Sequence, residues 1–164
     1  VPAFTSSTHS TLDQTGFYLQ DQLEWANWIM NLAGRYDAAK TKSTNLLTDA
    51  RTESNDYATT GRAGLLYHFD NGLAPYVSYS TSFVPSSTTD FYGHGFKPTE
   101  GKQTEMGLKY DPVGLDALFT LALFNLRETN VATPDPDHAN YSVQTGEIRS
   151  RGIELDGKIN ITPA

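Results

Sequence analysis

The sequence predicts an all-β protein, an antiparallel up-and-down meander of about seven strands. Three observations predict it. Apolar and polar residues alternate with period two through most segments, the repeat of a pleated strand. Turn-forming residues punctuate the chain between those segments. The connections are of two kinds, short and long, and the two alternate strictly along the chain.

The first candidate strand, Gly16–Trp25, sets Phe17, Leu19, Leu23 and Trp25 against Tyr18, Gln20, Gln22 and Glu24, with Asp21 an exception on the apolar side. Ala26–Asn27 then turns the chain into Trp28–Thr41. A polar stretch, Lys42–Tyr57, reads as a long connection to the third strand, Ala58–Phe69. Asp70-Asn71-Gly72 supplies the positive φ of a tight turn. The fourth strand, Ala74–Phe83, divides Val77, Tyr79 and Phe83 from Tyr76, Ser78, Ser80 and Ser82. Val84–Gly101 is the second long connection, and Lys102–Tyr110 follows with Met106, Leu108 and Tyr110 opposite Gln103, Glu105, Gly107 and Lys109. Pro112 and Gly114 mark a short turn into Leu115–Val131, apolar on both faces from Leu118 to Leu126. After a third long connection, Ala132–Gln144, the chain ends in Thr145–Ile161.

That last strand carries Glu147, Arg149 and Arg151 and then Ile153, Leu155, Ile159 and Ile161 on a single face. A face that changes from charged to apolar partway along marks a boundary between two solvents. The opposite set, Ile148, Ser150, Gly152, Glu154, Asp156 and Lys158, is mostly polar.

Composition narrows the classes. The 164 residues suit one ordinary domain, and 38% hydrophobic content is too rich for a disordered chain. A net charge of −7 argues against a nucleic-acid surface, which needs clustered Lys and Arg. Without cysteine there is no disulfide framework and no thiolate chemistry. The chain opens at Val1 with no basic leader or apolar stretch, and reads as a mature protein or an excised piece. Its longest strongly apolar run, Leu115 to Leu126, is well short of the roughly 20 residues of a membrane-spanning helix.

Alternation alone fits a soluble sheet with one wet face as well as a membrane barrel. Short turns at one end and long polar loops at the other favour an outer-membrane barrel, which sorts its connections in this way. Trp25, Trp28, Phe69 and Tyr110, all at the short-turn end, suit an interfacial girdle. Arg149 and Arg151 then lie at headgroup level, where they face either lipopolysaccharide phosphates or cross-strand ion-pair partners.

Five runs, GFYLQDQLEW (16–25), LAGRYD (32–37), GLLYHFDNGLAPYVSYSTSF (64–83), FKPTEGKQTEMGLKYDP (96–112) and TPDPDHANYSVQTGEIRSRGIELDGK (133–158), resemble consecutive barrel segments of TonB-dependent ferric-siderophore receptors, particularly the ferrichrome-type hydroxamate receptors. The resemblance implies a segment of a 22-stranded barrel in the outer membrane of a Gram-negative bacterium. On this expectation residues 1–164 form a partial barrel domain without the plug domain or the C-terminal strands. Seven strands cannot close so wide a barrel, and open edges are not tolerated in hydrocarbon.

The implied function is transport by the parent protein: binding of a ferric hydroxamate-type siderophore at the extracellular mouth and passage energised through TonB, which would be engaged only by the missing N-terminal part. The siderophore holds the iron, so no cofactor or protein metal site is expected. Aromatic residues near the long-loop end are the candidate ligand contacts, by position: Tyr57, Phe83, Phe91, Tyr92, Phe96 and Tyr141. His9, His68, His94 and His138 stand apart from any second ligand at metal-binding spacing and read as surface or packing residues. Asp135 and Asp137 resemble a calcium loop only loosely. No nucleophile, zinc or phosphate-binding motif marks an enzyme, and no catalytic residue is assigned. Two other readings stay open: a soluble or surface-attached β-sheet interaction domain without transport activity, whose apolar face would be covered, and a passive porin.

Overall fold

The computed structural model describes residues 7–160. They form a single seven-stranded sheet in which each strand pairs antiparallel with the next, in the order β1 to β7. The strands are β1 Thr8–Trp25, β2 Trp28–Asn45, β3 Arg51–Tyr67, β4 Leu73–Val84, β5 Thr99–Tyr110, β6 Ala117–Pro134 and β7 Ser142–Ile159. Ile161, expected on the outward face of the last strand, lies outside the described residues.

Directly paired residues share a face, so the register yields rows of side chains across the sheet. One row runs Leu23, Met30, Leu65, Val77, Met106, Leu123 and Ile153, apolar on every strand. The adjacent row on the other face runs Gln22, Asn31, Gly64, Ser78, Glu105, Phe124 and Gly152. The alternation in the sequence is therefore a property of the whole sheet, with an apolar outer face and a mostly polar inner one.

The outer face is bare. Among the described residues no large side chain is fully buried, and Phe17, Leu19, Trp25 and Leu155 are each 79% exposed. A soluble interaction domain requires that face to be covered, since monomeric proteins in water rarely leave a contiguous apolar patch of this kind open.

The apolar band slopes across the strands. Its last outward apolar residue at the long-loop end is Phe17 on β1 and Ile153 on β7, and Ile153 shares the row of Leu23, six residues from Phe17 along β1. That drop falls between Phe83 on β4 and Met106 on β5, which pairs with Val77. The short-turn edge moves the same way, from Trp25 on β1 to Ile159 on β7, a shift of four residues. At about 3.4 Å per residue and about 4.8 Å per strand step, these shifts correspond to strands tilted by about 25–35° to the band. Transmembrane barrels tilt their strands by about 35–45°.

The connection expected over Lys42–Tyr57 is instead five residues, 46–50, because β2 and β3 both continue upward. Every strand reaching the long-loop end is longer than its pattern suggests. These extensions are mostly polar on both faces, with too few apolar residues to set a period, and cross-strand pairs hold them: Lys40 Nζ lies 2.5 Å from Glu53, and Ser10 bonds Ser43 at 3.0 Å. The other two long connections, 85–98 and 135–141, remain loops.

Local contacts accompany Asp21 and one of the inward apolar residues of β6, Phe124. Asp21 accepts the Gln22 backbone N–H at 2.9 Å on the exposed edge strand. Phe124 faces inward because its ring lies over Gly152, where a Cβ would come within 2.7 Å of it. At the short-turn end Trp28, Tyr67 and Phe69 pack edge to face, with centroids 4.8 and 4.7 Å apart.

Candidate functional site

The 85–98 loop folds back on itself as a small hairpin. Thr89 bridges Gly95, and the Phe96 N–H donates to the Thr88 carbonyl at 3.0 Å. Gly93 turns the tip with φ +84°. Asp90 pins the same tip: its carboxylate accepts the His94 N–H at 2.7 Å and sits 2.9 Å from His94 Nδ1. Burial pushes the Asp90 carboxyl up, but the His94 ring and amide together outweigh it and leave the group below the usual carboxylate range.

The 135–141 loop is built in a similar way. The Asp135 N–H donates to the Tyr141 carbonyl at 3.0 Å. The Asp135 side chain accepts the N–H groups of Asp137 and His138 at 2.8 and 3.2 Å and lies 3.0 Å from His138 Nδ1. The Asp137 amide, and after it the His138 side chain and amide, hold the Asp135 carboxyl below the usual carboxylate range against partial desolvation. Asp135, whose spacing hinted at a calcium loop, spends its oxygens on its own turn. Among the described residues no cluster of His, Asp or Glu is arranged to hold a metal ion.

The two loops meet through aromatic rings. The Phe91 and His138 rings stack at 3.7 Å and 15°, and Tyr141 meets Phe91 edge-on at 5.0 Å. Tyr92 touches both, 5.3 Å from Phe91 and 6.0 Å from His138. The upper surface stays open, with Tyr92 73% exposed. Phe96 is buried and anchors the hairpin.

Of the six candidate aromatics, the structure thus brings Phe91 and Tyr92 of the hairpin together with Tyr141 of the second loop, while Phe96 is buried at the end of the hairpin. Tyr57 and Phe83 lie elsewhere. Tyr57 pairs with Ala38 and Phe83 with Glu100, both on the outer face, and Tyr57 stacks on Tyr36 at 6.5 Å near the upper edge of the apolar band. The sequence reads His138 as a loop histidine with a surface or packing role, and it packs against Phe91. Nothing in its spacing reveals the Phe91 stack, which joins residues 47 positions apart.

A cationic belt crosses the outer face at the upper boundary of the band. Lys102, Arg127 and Arg149 occupy one row and Arg151 the next. Arg127 Nη2 lies 2.7 Å from Glu147, while Arg149 and Arg151 each donate an Nε hydrogen bond to Asn125 Oδ1 at 3.0 Å. The cross-strand ion pair at this boundary is thus made by Arg127 and Glu147, while among the described residues Arg149 and Arg151 share the Asn125 side chain rather than a carboxylate.

The inner face carries fixed polar groups. Arg35 grips Asp37 in a two-pronged pair at 2.6 and 2.7 Å, and Gln14 Nε2 donates to the same carboxylate at 2.9 Å. Gly16 leaves room for this pair, since a Cβ there would lie 2.5 Å from Asp37 Oδ1. Tyr76 donates to Glu105 at 2.7 Å.

Comparison with known proteins assigns the architecture. The family model described as "TonB dependent receptor-like, beta-barrel" matches residues 1–162. The chain is 44% identical over 145 residues to the ferrioxamine B receptor of Salmonella typhimurium, covering 88% of this chain and 20% of that protein. It is also 44% identical over 145 residues to the ferrichrome outer membrane transporter/phage receptor of Escherichia coli K12, covering 88% of this chain and 19% of the relative. The alcaligin outer membrane receptor FauA of Bordetella pertussis superimposes with a TM-score of 0.74 at 26% identity, over 95% of this chain and 28% of FauA. These are receptors and a transporter, not enzymes, and the chain spans about a fifth of the length of the curated relatives it matches. The chain therefore belongs to the TonB-dependent receptors, outer-membrane barrel proteins of Gram-negative bacteria, and forms a seven-stranded segment of such a barrel.

Proposed function

We propose that this segment is part of a receptor that imports a ferric siderophore of hydroxamate type, and that residues 1–164 are a partial barrel domain of a longer protein. The observation that carries the reading is the aromatic platform of Phe91, Tyr92 and Tyr141, raised at the long-loop end of a sheet whose outer face is built for lipid. Exposed rings suit the apolar backbone of a siderophore, and the tyrosine hydroxyls suit its polar groups. Phe96 is buried at the end of the hairpin, while Tyr57 and Phe83 belong to the upper aromatic edge of the band.

Charge supports the hydroxamate class. The loops carry Asp49, Asp90, Asp135 and Asp137 against one full cation, Lys97. Three hydroxamates cancel the charge of ferric iron, whereas a tris-catecholate complex stays strongly anionic and is repelled from such a rim. The relatives named for ferrioxamine B and ferrichrome point the same way. In this reading TonB energises passage through parts of the receptor other than these strands. Outer-membrane lipid covers the apolar band, and lipopolysaccharide phosphates meet Arg149 and Arg151.

The test is binding of radio-iron-labelled ferrioxamine B, ferrichrome and a ferric tris-catecholate to cells carrying the full-length receptor. Saturable binding of either hydroxamate, weakened by Phe91→Ala and Tyr141→Ala, is the expected result. Preference for the catecholate, or indifference to both substitutions, would overturn the assignment. For the lipid contact, Arg149→Ala with Arg151→Ala should reduce the lipopolysaccharide that copurifies with the receptor.

A further inference from the structure

At the base of the two loops the sheet comes apart and a side chain repairs it. Backbone pairing of β5 with β6 ends at Glu100 and Thr129, and the register of β6 with β7 shifts between Glu128 and Val131. Asn130 sits at this bulge with φ +59°, a left-handed conformation that asparagine tolerates better than most residues. Its Nδ2 donates to the Pro98 carbonyl at 2.9 Å, and its own carbonyl accepts from Thr99 Oγ1 at 3.3 Å.

Gln144, on the far side of β6, reaches through this opening. Its Oε1 accepts the Lys97 N–H at 2.8 Å, and its Nε2 donates both to the Lys97 carbonyl and to the Asn130 carbonyl, the latter at 2.8 Å. A primary amide presents the same donor and acceptor as a peptide group. The Gln144 side chain therefore takes the place of a strand backbone, engaging both polar groups of Lys97 as a β-partner would. It joins the end of one loop, 85–98, to the strand that leaves the other, 135–141.

The Phe91–His138 stack joins the same two loops at their tips. The geometry points to Gln144 as a positioning residue for siderophore binding: it latches the two loops at their base, so that the Phe91, Tyr92 and Tyr141 platform is already assembled before the ligand arrives. This rests on the siderophore site proposed above. Ordering a two-loop platform only when the ligand binds subtracts that ordering cost from the affinity, and a latch formed beforehand avoids it.

The test uses the full-length receptor in outer membranes, with surface abundance and heat-modifiable migration confirming that each variant folds. Spin labels at Thr89→Cys and Asn140→Cys report the distance between the loops without ligand, and labelled ferrioxamine B and ferrichrome report affinity. Gln144→Ala should broaden the distance distribution and weaken binding of the hydroxamate that the receptor takes by about tenfold, with Gln144→Glu intermediate because only the acceptor survives. Combined with Phe91→Ala, Gln144→Ala should add little further loss, because the latch acts through the platform. Cross-linking Lys97→Cys to Gln144→Cys should restore affinity. An unchanged distance distribution in Gln144→Ala overturns the latch, as does full additivity with Phe91→Ala. A broadened distribution with unchanged affinity overturns the positioning role. If the parent receptor binds neither hydroxamate, the siderophore assignment fails instead, and the distance measurement still decides whether Gln144 couples the loops.

Discussion

An arginine placed at the middle of the outer apolar band should be far more costly than one placed a few residues away on the inner face. On β5 the outward residues run Tyr110, Leu108, Met106, Thr104 and Lys102. From Tyr110 to Lys102, at about 3.4 Å per residue and a tilt of about 30°, the strand climbs about 24 Å, close to the roughly 25 Å apolar band of an outer-membrane barrel. Met106 lies halfway, about 12 Å from either edge on the same geometry, and pairs with Val77 and Leu123. Met106→Arg should therefore destabilise by about 2–4 kcal/mol, the cost of a basic side chain at the bilayer midplane. Gln103→Arg faces inward, where the neighbouring Glu105 carboxylate offers a partner, and should change stability by less than about 0.5 kcal/mol. Thr104→Arg, one row nearer the cationic belt, should fall between the two. The assay is guanidinium titration of the full-length receptor refolded into phosphatidylcholine vesicles, with native migration as the readout. Equal costs at positions 103 and 106, or a cost below about 1 kcal/mol for Met106→Arg, would refute the claim that this face lies in hydrocarbon.

Turn glycines give a second contrast. Gly72 and Gly114 both have φ +84°, but a Cβ at Gly72 would fall 1.8 Å from the Asp111 carbonyl oxygen, whereas one at Gly114 meets nothing within 4 Å. Gly114→Ala should cost about 1–2 kcal/mol for the left-handed backbone alone, and Gly72→Ala distinctly more, measured in the same titration. Acidification should loosen the 135–141 loop. Because the folded-state Asp135 carboxyl lies below its usual value, its stabilising effect is complete above the ordinary Asp pKa, about 3.9, and is lost as pH falls through the depressed folded value. Amide hydrogen exchange, corrected for intrinsic rates, should show protection at Asp137 and His138 steady from pH 7 to about 5 and falling below about 4, with Asp135→Ala, which removes the acceptor, already unprotected at neutral pH. A double-mutant cycle on Trp28→Leu and Tyr67→Leu should return a coupling of about 0.5–1.5 kcal/mol for the edge-to-face pair.

The sequence alone determined the faces and the order of the strands. Period two in a pleated chain leaves each side chain only two directions, so Phe17, Val77 and Met106 declare the outer face without any tertiary information, and Asp70-Asn71-Gly72 and Pro112–Gly114 place their turns by backbone chemistry. The charged-to-apolar change along the last strand, from Arg151 to Ile153, was legible for the same reason, and the register carries it across the sheet. Only the tertiary structure decided where the strands stop at the long-loop end. Where both faces meet water, as along β2 above Thr41, polarity no longer distinguishes a strand from a loop, and the pairing partner, here Arg51–Glu53 of β3, makes the choice. The candidate site divides along the same line. That aromatics gather near the long loops could be read from position, but Tyr57 and Phe83 face outward because strand register sends them there. His138 and Gln144 gain their roles from partners 47 residues distant, across a bulge that no periodicity signals.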